Sequence, residues 1–204
     1  MQYSVYALGI MAAVVSFLGF VVENVWLAIT KGYIDNRNMN VPFLVGYGML
    51  ILVMYFILGT PKDLLILKKS KRNMPKWASV IIYFVLSFFV VSIAEIALGV
   101  IFEKVSGIKY WNYSMIPLHF TQYTSVPTSM GFALLITVFM GAIFTPLMEL
   151  IMRMDPHLMK WLSIILVVIM MADLIINFYE MITSHAFVKK WRIYLKKGRI
   201  SKVI

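Results

Sequence analysis

The sequence of 204 residues contains no cysteine, which removes disulfides, thiolate chemistry and cysteine-bound metals from consideration. Charge is scarce as well. Charged residues make up 14% of the chain against 61% hydrophobic ones, and the mean hydropathy is +0.85, a composition that soluble domains of this size do not have. The three histidines, His119, His157 and His185, have no zinc-type spacing, and no His-Glu-x-x-His helix occurs, so no metal is expected. A Gly-x-x-x-x-Gly-Lys-Ser/Thr loop is missing, which excludes ATP hydrolysis by that route. A Gly-x-Ser-x-Gly nucleophile elbow is missing too. With the chain divided among apolar stretches and short connections, there is no room for a soluble catalytic or nucleotide-binding domain. Neither catalytic residues nor a cofactor are expected, and the protein reads as a non-enzyme.

What remains is an all-α, polytopic helical bundle embedded in a membrane. Five apolar runs are near the roughly 20 residues that cross a bilayer as a helix: Val5 to Ile29, Pro42 to Leu58, Trp77 to Phe102, Ser129 to Met152 and Met159 to Thr183. The first lacks a basic leader and carries Glu23 and Asn24, so it reads as a retained helix. The transmembrane domain is expected over 1–184. A tail follows over 185–204, where Phe187, Trp191, Tyr194 and Leu195 recur at near-helical spacing among lysines and arginines. That pattern suggests a basic amphipathic helix on an anionic leaflet, or a disordered cytoplasmic extension. The net charge of +10 belongs to these membrane-flanking segments and implies lipid, not nucleic acid.

Loop charge poses a problem of parity. The stretch 60–76 and the tail are both rich in lysine and arginine, so both should be cytoplasmic. Three of the five spans lie between them, and an odd number of crossings separates the two. A sixth crossing or a re-entrant segment around 108–128 would resolve this, and a crossing there puts both termini in the cytoplasm. That segment is too polar for a lipid-facing helix and too aromatic for an ordinary loop, and irregular backbone at membrane depth requires burial in protein or a wet cavity. The alternative is an extracellular loop lying on the membrane surface.

The acidic residues carry the functional signal. Glu23, Glu95, Asp173 and Glu180 lie inside or at the mouths of apolar runs whose one base is Lys160, at the start of the last, and a carboxylate in hydrocarbon must be paired, protonated or wetted. Ala12, Ser16, Gly19 and Glu23 share one helical face; so do Ser92, Glu95 and Gly99, with Glu103 a turn further; so do Asp173, Asn177, Glu180 and Ser184. Glu103, Glu149 and Glu180 are near enough to helix ends to be solvated. The other polar groups predict an acidic intramembrane site lined by Glu23, Asn24, Glu95, Asp173 and Asn177, with Trp111, Asn112, Tyr113, Ser114 and His119 at its mouth or gate. The bland reading of Asp173 is a hydrogen-bonding residue that holds helices together.

Several of these residues resemble the CmpB-type ABC-transporter permease family of bacterial membrane proteins. The resemblance is carried by Gly19, Glu23, Asn36-Arg37, Pro42 and Gly46-Tyr47-Gly48. It continues through Glu95-x3-Gly99-x3-Glu103, Gly107, Trp111-Asn-Tyr-Ser114, Pro117 and Asp173, covering most of residues 15 to 180. Asn112 stands where the family has aspartate, His119 at an asparagine, Asn38 at a glycine, and Gln122-Tyr123 at a glycine-basic pair. The resemblance implies a permease of a bacterial cell membrane. Together with the acidic site it implies a small cationic or proton-coupled solute, with any ATP drive coming from a separate ATPase or partner subunit docked on the basic loop 60–76. Two alternatives stand beside it: an accessory or sensory subunit of a larger complex, and an intramembrane enzyme acting on lipid with Glu95 and His119 as acid and base.

Overall fold

In the computed structural model the described residues are 3–65, 75–196 and 199–203. Helices form on the apolar runs and end where the sequence supplies caps. Helix α1 (Val5–Lys31) is opened by Ser4, whose side chain accepts the Ala7 amide at 3.2 Å, and closed by Gly32 in the left-handed region. Helix α3 (Lys76–Ser106) starts after Pro75 and ends at Gly107, again left-handed. Ser125 and Thr128 form a reciprocal capping box at the start of α4 (Val126–Val138). The same rod continues through a π turn, Phe139–Ile143, into α5 (Phe144–Met152). Pro146 has no amide to offer the Ala142 carbonyl, and the widened turn immediately precedes it. Asp155 caps α6 (Pro156–Ser184) by accepting the His157 and Leu158 amides, each at 3.0 Å.

Four of these rods are long and apolar enough to cross a bilayer: α1, α3, the continuous Val126–Met152 and α6. The fifth expected span, 42–58, is shorter than the sequence suggested. Helix α2 (Val45–Ile57) has 13 residues, a rise of about 20 Å against roughly 30 Å of hydrocarbon. Pro42 keeps Val41 out of helical geometry, and Gly59, at φ 77°, ends the helix at the other side.

The chain divides into two compact units, 1–52 with 148–204, and 53–147. In the first, α1 and α6 run parallel. Ser4 meets the Met159 sulfur at 3.9 Å at one end of the pair. At the other end β1 (Tyr33–Asp35), which follows α1, pairs antiparallel with β6 (Arg192–Lys196), which follows α6. The N-terminal residues and the tail thus stand at opposite ends of this pair, whereas the charge pattern had led both to be expected on one face. Ala13, Val45 and Met170 form the packed centre, with Phe43, Leu166, Val167 and Leu174 around them.

In the tail, β6 and β7 (Arg199–Val203) form a hairpin, giving a sheet of order β1-β6-β7 where an amphipathic helix or a disordered extension was expected. The reason is local and tertiary at once. Ile193 and Tyr194 are of the β-branched and aromatic types that favour strands, and β1, at the end of α1, presents its edge beside them. Arg192 reaches Asp35 at 3.2 Å and lies 4.0 Å from the Tyr33 ring centroid; Tyr33 meets Tyr194 edge-on at 5.8 Å. Cross-strand pairs of this kind each contribute about 0.2–1 kcal/mol.

The second unit holds α3 and α4 with two short hairpins, β2 (Gly59–Thr60) with β3 (Asp63–Leu64), and β4 (His119–Thr121) with β5 (Thr124–Ser125). Tyr83 of α3, wholly buried, donates to the Gly59 carbonyl at 3.2 Å, and Ser79 to that of Pro61. No helix forms over 108–125: this expected sixth crossing is a run of turns ending in the β4–β5 hairpin. Pro117, and Leu118 at φ 59°, break any helical register there. Most of the basic residues of 60–76 lie outside the described residues.

Arg192→Ala removes the anchor between tail and β1. Limited trypsin digestion in detergent should then cut at Lys189 and Lys190 at least several-fold faster than in the parent, with unchanged helical circular dichroism; equal rates would show that Arg192 does not hold the tail.

Candidate functional site

The expected acidic residues fall into both units, Glu23, Asn24, Asp173 and Asn177 into the first and Glu95 into the second. Each group is built by a helix face meeting a loop.

Asp173 and Asn177 are one turn apart on α6 and are 6% and 0% exposed. Both face the loop between β1 and α2. The Asp173 carboxylate accepts the Asn40 amide at 3.1 Å, the Val41 amide at 3.2 Å, and the side-chain amides of Asn40 and Asn177, each at 2.8 Å. The Asn177 side-chain oxygen accepts from Asn40 at 3.0 Å. Hydrogen bonds to an ionised acceptor are roughly twice as strong as neutral ones, so four converging donors offset the cost of removing this carboxylate from water. Lys190 donates to the Asn40 side-chain oxygen and lies 3.5 Å from Glu180.

Glu23 is met by groups from beyond its own helix. Arg37, on the same loop, approaches it at 2.5 Å, and the Tyr47 hydroxyl donates to its other oxygen at 2.8 Å. Asn24 accepts the Asp35 amide at 2.8 Å. Asp35 in turn lies 3.8 Å from Arg37 and 3.2 Å from Arg192. Asn36, 2% exposed, ties the loop to the tail by donating to the Met39 and Val188 carbonyls. The end of this unit is a network of matched charges.

The second unit differs. Glu95, on α3, accepts from the Thr124 hydroxyl at 2.7 Å and the Ser129 hydroxyl at 3.2 Å, and Tyr113 adds a third side-chain hydrogen bond. Thr124 and Ser129 are fully buried and lie 2.8 Å apart. One turn past Gly99, Glu103 is bonded by Gln122 at 3.0 Å and by the Tyr123 hydroxyl, with Lys109 at 4.0 Å. Of the expected mouth residues, Trp111 and Tyr113 bind the hairpin: the Trp111 indole donates to the Tyr123 carbonyl, and the Tyr113 amide to that of Gln122, both at 2.8 Å. Asn112 and Ser114 are exposed and form a local turn, the Asn112 side chain accepting the Ser114 amide at 2.8 Å. His119 is exposed, with Nδ1 3.1 Å from the Ile116 carbonyl.

The residues that sequence reasoning passed over are the loop partners Asp35, Arg37, Asn40, Tyr47, Tyr123 and Thr124, together with Glu103. Their signal was present but weak: Arg37 and Tyr47 belong to the short motifs around Pro42. No cluster of histidine, aspartate or glutamate suited to a metal occurs among the described residues. A groove of about 220 Å3 in the first unit, lined by Ala13, Val14, Phe17, Phe43 and Leu166, is apolar and contains none of the acidic residues.

Asp173→Ala leaves four converging donors without an acceptor, at about 1–3 kcal/mol for each one that stays buried. The melting temperature of the detergent-solubilised protein should fall by several degrees, less in Asp173→Asn and hardly at all in Glu180→Ala. Equal shifts in the three variants would contradict the assigned role of Asp173 as loop anchor.

Comparison with curated proteins and with solved structures returned no match. Residues 10–178, most of the chain, with Glu23, Glu95 and Asp173 among them, match the family described as "Putative ABC-transporter type IV", the CmpB type, and the chain belongs to that family.

Proposed function

We propose that this protein is the permease component of a transport system and that its solute is a small cation, or a neutral molecule moved with a proton. Family membership and the four apolar helices support a membrane-embedded, transport-related protein. The observation that carries the finer reading is the surroundings of Glu95. Its side-chain hydrogen bonds come from three hydroxyls, and among the described residues no lysine, arginine or histidine makes an ion pair with it. A hydroxyl donates to a carboxylate but can also turn its lone pairs toward a cation. Glu95 can therefore exchange a proton for a cation without leaving a buried base unpaired.

Asp173 with Asn177, and Glu23 with Asn24, are secondary binding positions in this reading. Trp111 and Tyr113 with the exposed Asn112, Ser114 and His119 form the approach to Glu95. An ATPase subunit would dock on 60–76, and anionic lipid would meet that loop. The saturation of Asp173 by donors favours one rival, an accessory subunit whose carboxylates only hold the bundle. A lipid-acting enzyme would need His119 in hydrogen-bond reach of Glu95, and the partners of each lie elsewhere.

Topology follows from parity. Helices α1 and α6 are parallel, so the chain between them crosses an odd number of times. The two long helices between them supply two crossings, and α2 with its flanking residues supplies the third. Five crossings result, with 108–125 not crossing and the termini on opposite faces. Placing 60–76 in the cytoplasm puts the N-terminus there also and the tail sheet outside. Reporters fused to the two termini should read opposite sides of the membrane; the same side for both would sink this topology.

Transport is tested by liposome flux with a panel of inorganic ions and small amines. Glu95→Gln should lower flux of the transported species at least about tenfold, the scale of losing one charged contact. Asp173→Asn should lower it less. Unchanged flux in Glu95→Gln, or no flux of any species through the folded parent, would overturn the proposal in favour of the accessory role.

A further inference from the structure

The two units contain the same device. In each, a long helix carries a glycine followed four residues later by a glutamate, Gly19 and Glu23 on α1, Gly99 and Glu103 on α3. A tyrosine from beyond the next loop lays its ring on the glycine, Tyr47 in one unit and Tyr123 in the other. In both, an added Cβ would come closer than 3.0 Å to the ring carbons, so only glycine admits the ring. The hydroxyl of that tyrosine bonds the glutamate. A base from the start of the same loop takes the carboxylate from the other side, Arg37 at 2.5 Å and Lys109 at 4.0 Å. Both helices end on a left-handed glycine, Gly32 at φ 71° and Gly107 at φ 72°, from which the loop departs.

The parallel extends to what the loops touch. Between Arg37 and Tyr47, Asn40 reaches down to Asp173. Between Lys109 and Tyr123, Tyr113 reaches Glu95, and Thr124 follows directly. One glutamate therefore grips both ends of a loop whose middle covers a second, deeper carboxylate. Chance would have to reproduce the glycine-glutamate spacing, the ring contact, the hydroxyl bond, the base and the covered acid together.

We propose that these are two copies of one loop clasp, with Glu23 and Tyr47, and Glu103 and Tyr123, as positioning residues, and that each clasp must open before Asp173 or Glu95 can meet a solute. Only that last step rests on the permease reading; the clasp itself is a statement about loop opening. Each grip combines a neutral hydroxyl and a base on one carboxylate, so it can be loosened by one atom without emptying the site. Glu103, dismissed from the sequence as a solvated helix end, becomes the counterpart of Glu23.

The absence of cysteine makes the test direct. In the full chain in lipid nanodiscs, single reporters Met39→Cys, a 7% exposed residue within the first loop, and Ser129→Cys, fully buried at the start of α4 against Thr124, are labelled with an impermeant maleimide. Tyr47→Phe keeps the ring and loses only the hydroxyl. It should speed labelling at position 39 at least about tenfold and leave position 129 unchanged, and Tyr123→Phe should do the reverse. Unchanged labelling in both backgrounds overturns the clasp. Should either phenylalanine variant fail to fold, hydrogen exchange on the unsubstituted chain decides: protected amides at Asn40, Val41 and Tyr113 support it, and exchange at unstructured-chain rates overturns it. Selective labelling with flux that ignores Glu95→Gln upholds the clasp and removes the permease reading alone.

Discussion

A carboxylate withdrawn from water has to be met by donors, and in this protein the loops do the meeting. Asp173 is satisfied by amides of the segment that precedes α2, Glu23 by an arginine and a tyrosine at the two ends of that segment, Glu95 by hydroxyls around the start of α4. The helix backbones can supply none of this, because their own amides and carbonyls are already paired, and helix side chains add Asn177, Tyr47 and Ser129. The connections are therefore the polar half of the structure, folded back onto rods that would otherwise carry unpaired acids.

This arrangement separates two kinds of acidic residue that look alike in the sequence. Asp173 accepts from backbone amides, which cannot rotate away, so its environment is fixed once the loop is in place. Glu95 accepts from side-chain hydroxyls, which can reorient and can accept as well as donate. The first kind holds a fold together and the second kind can exchange partners. Glu23 and Glu103 form a third kind, each shared between a base and a tyrosine, and their position at the ends of loops makes them the natural points at which a loop is released.

Much was legible from the chain before folding. The apolar runs located the four long helices of the described residues, and the small-residue stripe Ala12, Ser16, Gly19 marked the face of α1 on which Gly48 and Tyr47 pack. Asp173 and Asn177 were placed on one face by spacing alone. The tail was misjudged because the helical spacing of Phe187, Trp191, Tyr194 and Leu195 competes with the strand preference of Ile193 and Tyr194, and only the neighbouring edge of β1 decides between the two. The second apolar run was overestimated for the opposite reason: hydropathy counts residues that Pro42 and Gly59 keep out of the helix. Arg37 and Arg192 were invisible as partners of Glu23 and Asp35, since nothing in their sequence positions says which way a loop returns.

Composition and hydropathy thus determined by themselves that the chain lives in a membrane and which segments are helices, because a backbone in hydrocarbon has so few ways to pair its own polar groups. Which acid meets which base, that α1 and α6 run parallel, that the tail adds strands to β1, and that one glycine–tyrosine–glutamate device occurs in each unit were decided only by tertiary structure. Those features depend on residues far apart in the chain coming within a few ångströms, and neither periodicity nor charge along the sequence encodes that distance.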